Sequence, residues 1–131
     1  MKAIRQREGW NNDRGATALE FAIVAPLLLI LIIGMLEFGL MYNAKITVTH
    51  AAREGARLAA VGKFDETTVK ERATGLSADR LTVIPPSNDP TVESVTVTVS
   101  YQWAWEILPL GGPLNLGDPP TLSSSATMRR E

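Results

Sequence analysis

FAIVAPLLLILIIGML, from Phe21 to Leu36, carries no charge, and the acid Glu20 stands immediately before it. Gly15 lies five residues before that acid. A carboxylate drawn into a bilayer costs roughly 2.5 kcal/mol or more when it sits deep, so a Glu at the mouth of an apolar run implies a role for that residue. Counted from Ala16, the uncharged segment apart from Glu20 reaches Leu36, and as a helix it spans about 31 Å, close to one hydrocarbon core. Polar residues define no face of it, unlike the half-buried helix of a soluble domain. It is too long for the apolar part of an ordinary cleaved signal peptide, and Tyr42-Asn43-Ala44 makes a poor small-x-small cut site after it. The run therefore reads as a membrane helix. Lys2, Arg5, Arg7 and Arg14 precede it with only Glu8 and Asp13 against them, which favours a cytoplasmic N-terminus and an extracytoplasmic C-terminus.

Details within the helix follow from backbone chemistry. Pro26 removes the donor for the carbonyl of Ala22 and is expected to kink the helix, which membrane helices tolerate when neighbours satisfy the freed group. Gly34 and Gly39 are five apart and so do not form a GxxxG face. Glu37 falls where the outer headgroups begin and reads as a solvated interfacial acid. The helical pattern then continues outside. Lys45 to Gly62 (KITVTHAAREGARLAAVG) sets Val48, Ala51, Ala52, Gly55, Ala59 and Gly62 at three- and four-residue spacing, with Arg53, Glu54 and Arg57 on other faces. Small residues in a stripe let a second backbone or a sheet approach closely. One long helix is expected from Thr17 to about Val61. The lone His50 reads as an exposed helix residue.

The remaining chain makes one small domain. The protein has 131 residues, no cysteine and a net charge of −1. With about a third of it directed to the membrane, only about 70–85 residues are left for a core. No basic face emerges, so nucleic acid is not an expected partner, and no disulfide supports the fold. Asp65 is a candidate N-cap of a short helix to about Ala73, ending near Gly75. Leu81 to Ile84 reads as a strand stopped by Pro85-Pro86, and Ser87 to Pro90 as a loop. Val92 to Trp105 alternates: Val95, Val97, Val99, Tyr101 and Trp103 on one face, Thr96, Thr98, Ser100 and Gln102 on the other. Leu108 to Pro120 reads as an apolar irregular excursion, and Leu122, Ser124, Ala126 and Met128 mark a last strand. The expected fold is α+β: a long N-terminal helix, with a membrane half and an amphipathic outer half, packed on a small antiparallel sheet of about three strands, whose valine face lies on the small-residue stripe. Trp103 and Trp105 are expected to pack in the core or at its rim, the alternative being an apolar surface shared with Leu108, Leu110, Leu114 and Leu116. No nucleophile–base pair, phosphate loop or metal-ligand cluster is legible, and the expectation is a non-enzymatic chain without cofactor or metal.

The same residues resemble a known family. Gly15 followed by Glu20-Phe21 and an apolar helix is similar to the type IV prepilin processing site in the form found in tight-adherence (Flp/Tad) pili. The runs Ala18-Leu19-Glu20-Phe21-Ala22-Ile23-Val24-Ala25-Pro26-Leu27-Leu28 and Ala51-Ala52-Arg53-Glu54-Gly55-Ala56-Arg57 resemble a TadE/TadG-type pseudopilin, as does the ending Val95-Thr96-Val97-Thr98-Val99 with Ala126-Thr127-Met128. The resemblance implies a bacterial inner-membrane protein cut after Gly15 by a prepilin peptidase. Residues 1–15 would be a cytoplasmic leader, 16–43 a transmembrane helix, and 44–131 an extracytoplasmic helix-plus-sheet domain. It implies a processing site at Gly15, Ala16, Glu20 and Phe21; helix packing through Pro26, Ala52, Gly55 and Ala59 is the expectation from the residues themselves. The implied partners are the peptidase, inner-membrane lipid and other pilins or pseudopilins. Cleavage would leave a positive α-amino group on Ala16 about one turn from Glu20, or within reach of the Glu20 of a neighbour, and opposite charges near lipid attract more strongly than in water. The alternative is an uncleaved, signal-anchored single-pass protein whose outer domain binds a ligand or envelope partner.

Overall fold

A computed structural model describes residues 10–87, 93–105, 107 and 118–130, with side chains from Arg14 onward. Residues 108–117 of the expected excursion Leu108–Pro120, and residues 88–90 of the loop expected at Ser87–Pro90, lie outside these residues. Helix α1 runs from Trp10 to Ala60, passes through Pro26, and is followed by α2 (Glu66–Arg72), a 3-10 turn (Ala78–Arg80) and strands β1 (Leu81–Ile84), β2 (Ser94–Gln102) and β3 (Thr121–Arg129). The α+β architecture is the one the residue pattern predicts. α1 starts earlier than the expected Thr17, so Gly15 lies inside it. The helix-forming Ala16, Ala18 and Leu19 carry the turn through a glycine whose cost is about 1 kcal/mol.

The chain divides into two compact units between Leu36 and Glu37. In the first, the described helix is long and apolar enough to cross a membrane. Its large side chains are exposed all round, Phe21 at 72% and Leu27 at 69% among them. Such a surface is stable only where the solvent is itself apolar.

The second unit carries the core. From α1 it takes Ala44, Val48, Ala51, Ala52, Ala56, Ala59 and Ala60; Val69, Ala73, Leu81 and Val83 join them, and β2 supplies Val95, Val97, Val99, Tyr101 and Trp103. The stripe of small residues is therefore real and wider than the spacing predicts, since Ala44, Ala56 and Ala60 belong to it. Gly62 does not. It is exposed, at φ +69°, and ends the helix: Gly62 N donates to Ala59 O and Lys63 N to Leu58 O, the paired bonds of a Schellman cap that favours a glycine.

The three strands are antiparallel in the order β1-β2-β3. β2 is shorter than the Val92–Trp105 expectation, but Trp103 N still donates to Pro120 O at 3.1 Å and Arg130 N to Glu93 O at 2.8 Å. On the outer face, Thr96 pairs with Thr127 and Thr98 with Ser125 through hydroxyls 2.8 Å apart, the cross-strand pairing expected of directly opposed residues. On the inner face of β3, Leu122, Ala126 and Met128 are partly buried against the core.

Asp65 caps α2 as predicted. Its Oδ2 accepts from Thr68 Oγ1 at 2.7 Å and from Thr68 N at 2.9 Å. The Thr68 side chain first, then the Thr68 amide, hold the carboxyl below the usual carboxylate range. A carboxyl lowered in the folded state stabilises it above the unfolded value of about 3.9, and that contribution is lost as pH falls through the folded value. Melting curves of the full chain in detergent from pH 6 to pH 2.5 (roughly the useful range) are expected to show a steeper acid loss for wild type than for Asp65→Asn. Equal acid slopes would remove this cap from the acid response.

Candidate functional site

The sequence singles out two groups of residues: the processing group and Pro26 belong to the first unit, and Ala52, Gly55 and Ala59 to the second. The processing group lies on the described part of the first unit. Gly15, Ala16, Glu20 and Phe21 are all exposed on α1. Ala16 and Glu20 are four apart, so they lie on adjoining turns, about 6 Å apart along the axis. A Cβ built on Gly15 meets nothing within 4 Å, and positive φ among the described glycines is confined to Gly62 and Gly75. Among the described residues nothing in the fold demands a glycine at position 15. Pro26 is likewise exposed, and its part in helix packing is not served by contacts within this chain's core.

Ala52 and Ala59 are buried in the core, and Gly55 lies close to β2 and α2. A Cβ there would lie 3.0 Å from Val97 Cγ1 and 3.1 Å from Val69 Cγ2. The opposite face is solvated: Arg57, with its side chain 57% exposed, pairs with Glu54 at 2.7 Å. Hydrogen bonding to Arg57 is the main cause that lowers the Glu54 carboxyl, and the same bond raises Arg57. His50 is exposed, as read.

Glu37 corrects the sequence reading. It is 3% exposed rather than solvated. Its Oε1 accepts from Trp103 Nε1 at 3.1 Å and its Oε2 from Ile107 N at 3.0 Å. A carboxylate next to an apolar run is costly to bury unless hydrogen-bonded, and here both oxygens have N–H donors. Trp103 is buried, with its ring edge-on to Tyr101 at 6.3 Å between centroids. Trp105 packs against the core from its rim. Core packing is thus the role of both tryptophans, and Trp103 adds a polar contact to it. The signal for the Glu37–Trp103 contact was present in type only: a lone acid after an apolar run, and a tryptophan whose N–H needs a partner when buried.

Arg80 and Tyr101 add a third feature. The Arg80 guanidinium sits over the Tyr101 ring, 5.6 Å from its centroid, and Arg80 Nη2 donates to Ser77 Oγ at 3.2 Å. Among the described residues no group of three or more His, Cys, Asp or Glu could hold a metal ion.

Comparison with known proteins is informative at one level. No curated protein and no solved structure matches the chain. The family model described as TadE-like protein matches residues 15–57. That segment begins at Gly15, includes Glu20-Phe21 and the whole charge-free run, and ends within the stripe that packs on the sheet. Over residues 15–57, about a third of its length, the chain is similar to TadE-like proteins.

Proposed function

We propose that this protein is a pseudopilin processed by a prepilin peptidase, serving as a structural or assembly component in the biogenesis of a Tad-type pilus. The single observation that carries the reading is the TadE-like segment 15–57, which opens on a glycine that nothing among the described residues demands. In this reading the protein is rooted in the bacterial inner membrane by α1, with the first 15 residues cytoplasmic and the sheet domain outside. The peptidase unwinds α1 at Gly15, where a glycine weakens the helix, and cuts before Ala16. The new α-amino group and Glu20 then form an opposite-charge pair in or near lipid, within one chain or between neighbours, so that assembly gains register as well as energy. The protein is the substrate of an enzyme and performs no catalysis itself.

N-terminal sequencing of the membrane form is the decisive experiment, and a mature chain beginning at Ala16 is the expected result. Gly15→Val should leave the leader attached, because a β-branched residue at the cut does not fit a site that reads glycine; normal processing of that variant would sink the proposed site. An intact N-terminus in cells with active peptidase would instead support a signal-anchored binding protein.

Glu20→Ala separates processing from assembly. Removing the charge eases insertion, so cleavage should persist at least in part while pilus formation falls far more. Normal piliation with this variant would leave Glu20 as an interfacial acid and nothing more.

A further inference from the structure

We infer that the outer edge of β3 takes up an extended segment of another protein as an added antiparallel strand, and that this segment carries a carboxylate for Lys45. The order β1-β2-β3 leaves one long side of β3 without a strand among the described residues. The bonds from Trp103 N to Pro120 O and from Arg130 N to Glu93 O fix the phase of the β2–β3 ladder. Even-numbered residues of β3 therefore turn their backbone groups to β2, and Thr121, Ser123, Ser125, Thr127 and Arg129 turn theirs outward. Sheet edges are ordinarily blunted by proline, by charge or by shortness. β1 is four residues long, whereas β3 (TLSSSATMR) runs for nine, with no proline and no charge before Arg129. A row of alternating donors and acceptors of that length is matched along its whole extent by another extended chain.

Two features say what that chain carries. The inner face of β3 is only half covered: Leu122, Ala126 and Met128 are partly buried, while Val95, Val97 and Val99 on β2 are buried. A strand with apolar side chains at alternate positions completes that cover. At the start of β3 the same face opens into a pocket of about 290 Å³ lined by Phe38, Met41, Tyr42 and Lys45 of α1 and by Leu122 of β3, all in the second unit, and an aromatic side chain suits it.

Lys45 sets the charge. Its Nζ donates to Ser123 O, one of the outward carbonyls, and among the described residues no carboxylate pairs with it. The lysine thus guards the edge. A carboxylate on the incoming strand draws the ammonium aside and releases Ser123 O for a strand N–H, so an acidic strand enters where a neutral one meets the guard. β3 itself contains no acid, so pairing with the β3 of a second copy leaves Lys45 unanswered, and the occupant is a different segment. The inference goes beyond the processing reading and holds whether or not the chain is cut after Gly15.

The probe is a dye-labelled peptide amide, Val-Thr-Val-Thr-Phe-Thr-Glu, whose Val, Phe and Glu share one face of a strand; its analogue ends in Gln. Each is titrated with the full chain in micelles of an uncharged detergent, and fluorescence anisotropy is read against empty micelles. Wild type is expected to bind the Glu peptide at least about fivefold more tightly than the Gln peptide, as befits a charge-assisted contact. Lys45→Gln, at an exposed helix position, is expected to remove that preference. Ser123→Pro deletes an outward N–H and leaves the ladder to β2 intact. It is expected to weaken binding about fivefold or more, with a melting temperature within about 3 °C of wild type. Absence of binding, equal binding of the two peptides by wild type, or an intact preference in Lys45→Gln overturns the inference. Undiminished binding by a folded Ser123→Pro chain does so as well. A wild-type dimer that Ser123→Pro abolishes, with neither peptide bound, overturns the partner and assigns the edge to a second copy. None of these readouts depends on the N-terminal sequence, so this inference and the processing reading fail separately.

Discussion

Glu37→Ala is expected to lower the melting temperature of the full chain in detergent by roughly 10–20 °C, from a loss of about 2–3 kcal/mol. The variant deletes a carboxylate that is 3% exposed and leaves the buried Trp103 Nε1 and the part-buried Ile107 N without it. An unsatisfied buried donor costs about 1–3 kcal/mol, and the gain in helix propensity from alanine is only a few tenths. Glu37→Gln should fall between: one oxygen can still accept, but its NH2 then meets the other donor. A double-mutant cycle with Trp103→Phe isolates the contact from the volume of the rings, and a coupling of about 1 kcal/mol or more is expected. A melting shift under about 3 °C for Glu37→Ala would mean that these donors find other partners and that the acid does not hold the end of β2 to the helix.

Gly55→Leu is expected to cost roughly 3 kcal/mol, the upper part of the range for overpacking. The Cβ alone would lie at 3.0 Å and 3.1 Å from methyl groups of Val97 and Val69, and the rest of the leucine has the same fully buried valines ahead of it. Leucine is the better helix former by nearly 1 kcal/mol, so the prediction opposes local propensity with packing and states that packing wins. Gly55→Ala is the finer measurement. Its helix gain and the few tenths of an ångström that Val97 must yield are of similar size, and the net change should lie within about 1 kcal/mol of zero. Arg57→Leu, on the solvated face, should melt almost as wild type does. If Gly55→Leu proves stabilising, the close approach of α1 to the sheet is absent in solution.

These two sites mark different limits of what can be read from the chain. The Gly55 contact was legible: small residues at three- and four-residue spacing, and valines at alternate positions in 95–99, each demand a partner surface, and a domain this small offers only the other. The same logic reached α2 and its Asp65 cap, β1 to the residue, and the half-buried face of β3. Periodicity and capping are local, so they survive without coordinates. The glycine at position 15 is an expectation from resemblance, and among the described residues no neighbour requires it.

Glu37 was not legible, because burial is decided by partners distant in sequence. Position alone placed it at a membrane boundary, where a solvated acid costs little. What changes its state is Trp103, 66 residues away, and the backbone of Ile107, 70 away, and no local pattern reports that the end of β2 returns to that turn of α1. The extra alanines of the stripe, Ala44, Ala56 and Ala60, became core for the same reason: the elements packed over the helix, not the helix period, decide how wide a face is covered. Sequence by itself determined the membrane-length helix, the two-fold use of α1 and the alternation of the strands, since each is a periodicity of one segment. Only the tertiary structure decided which polar groups are taken from water and which donors satisfy them, because that is a property of two segments brought together.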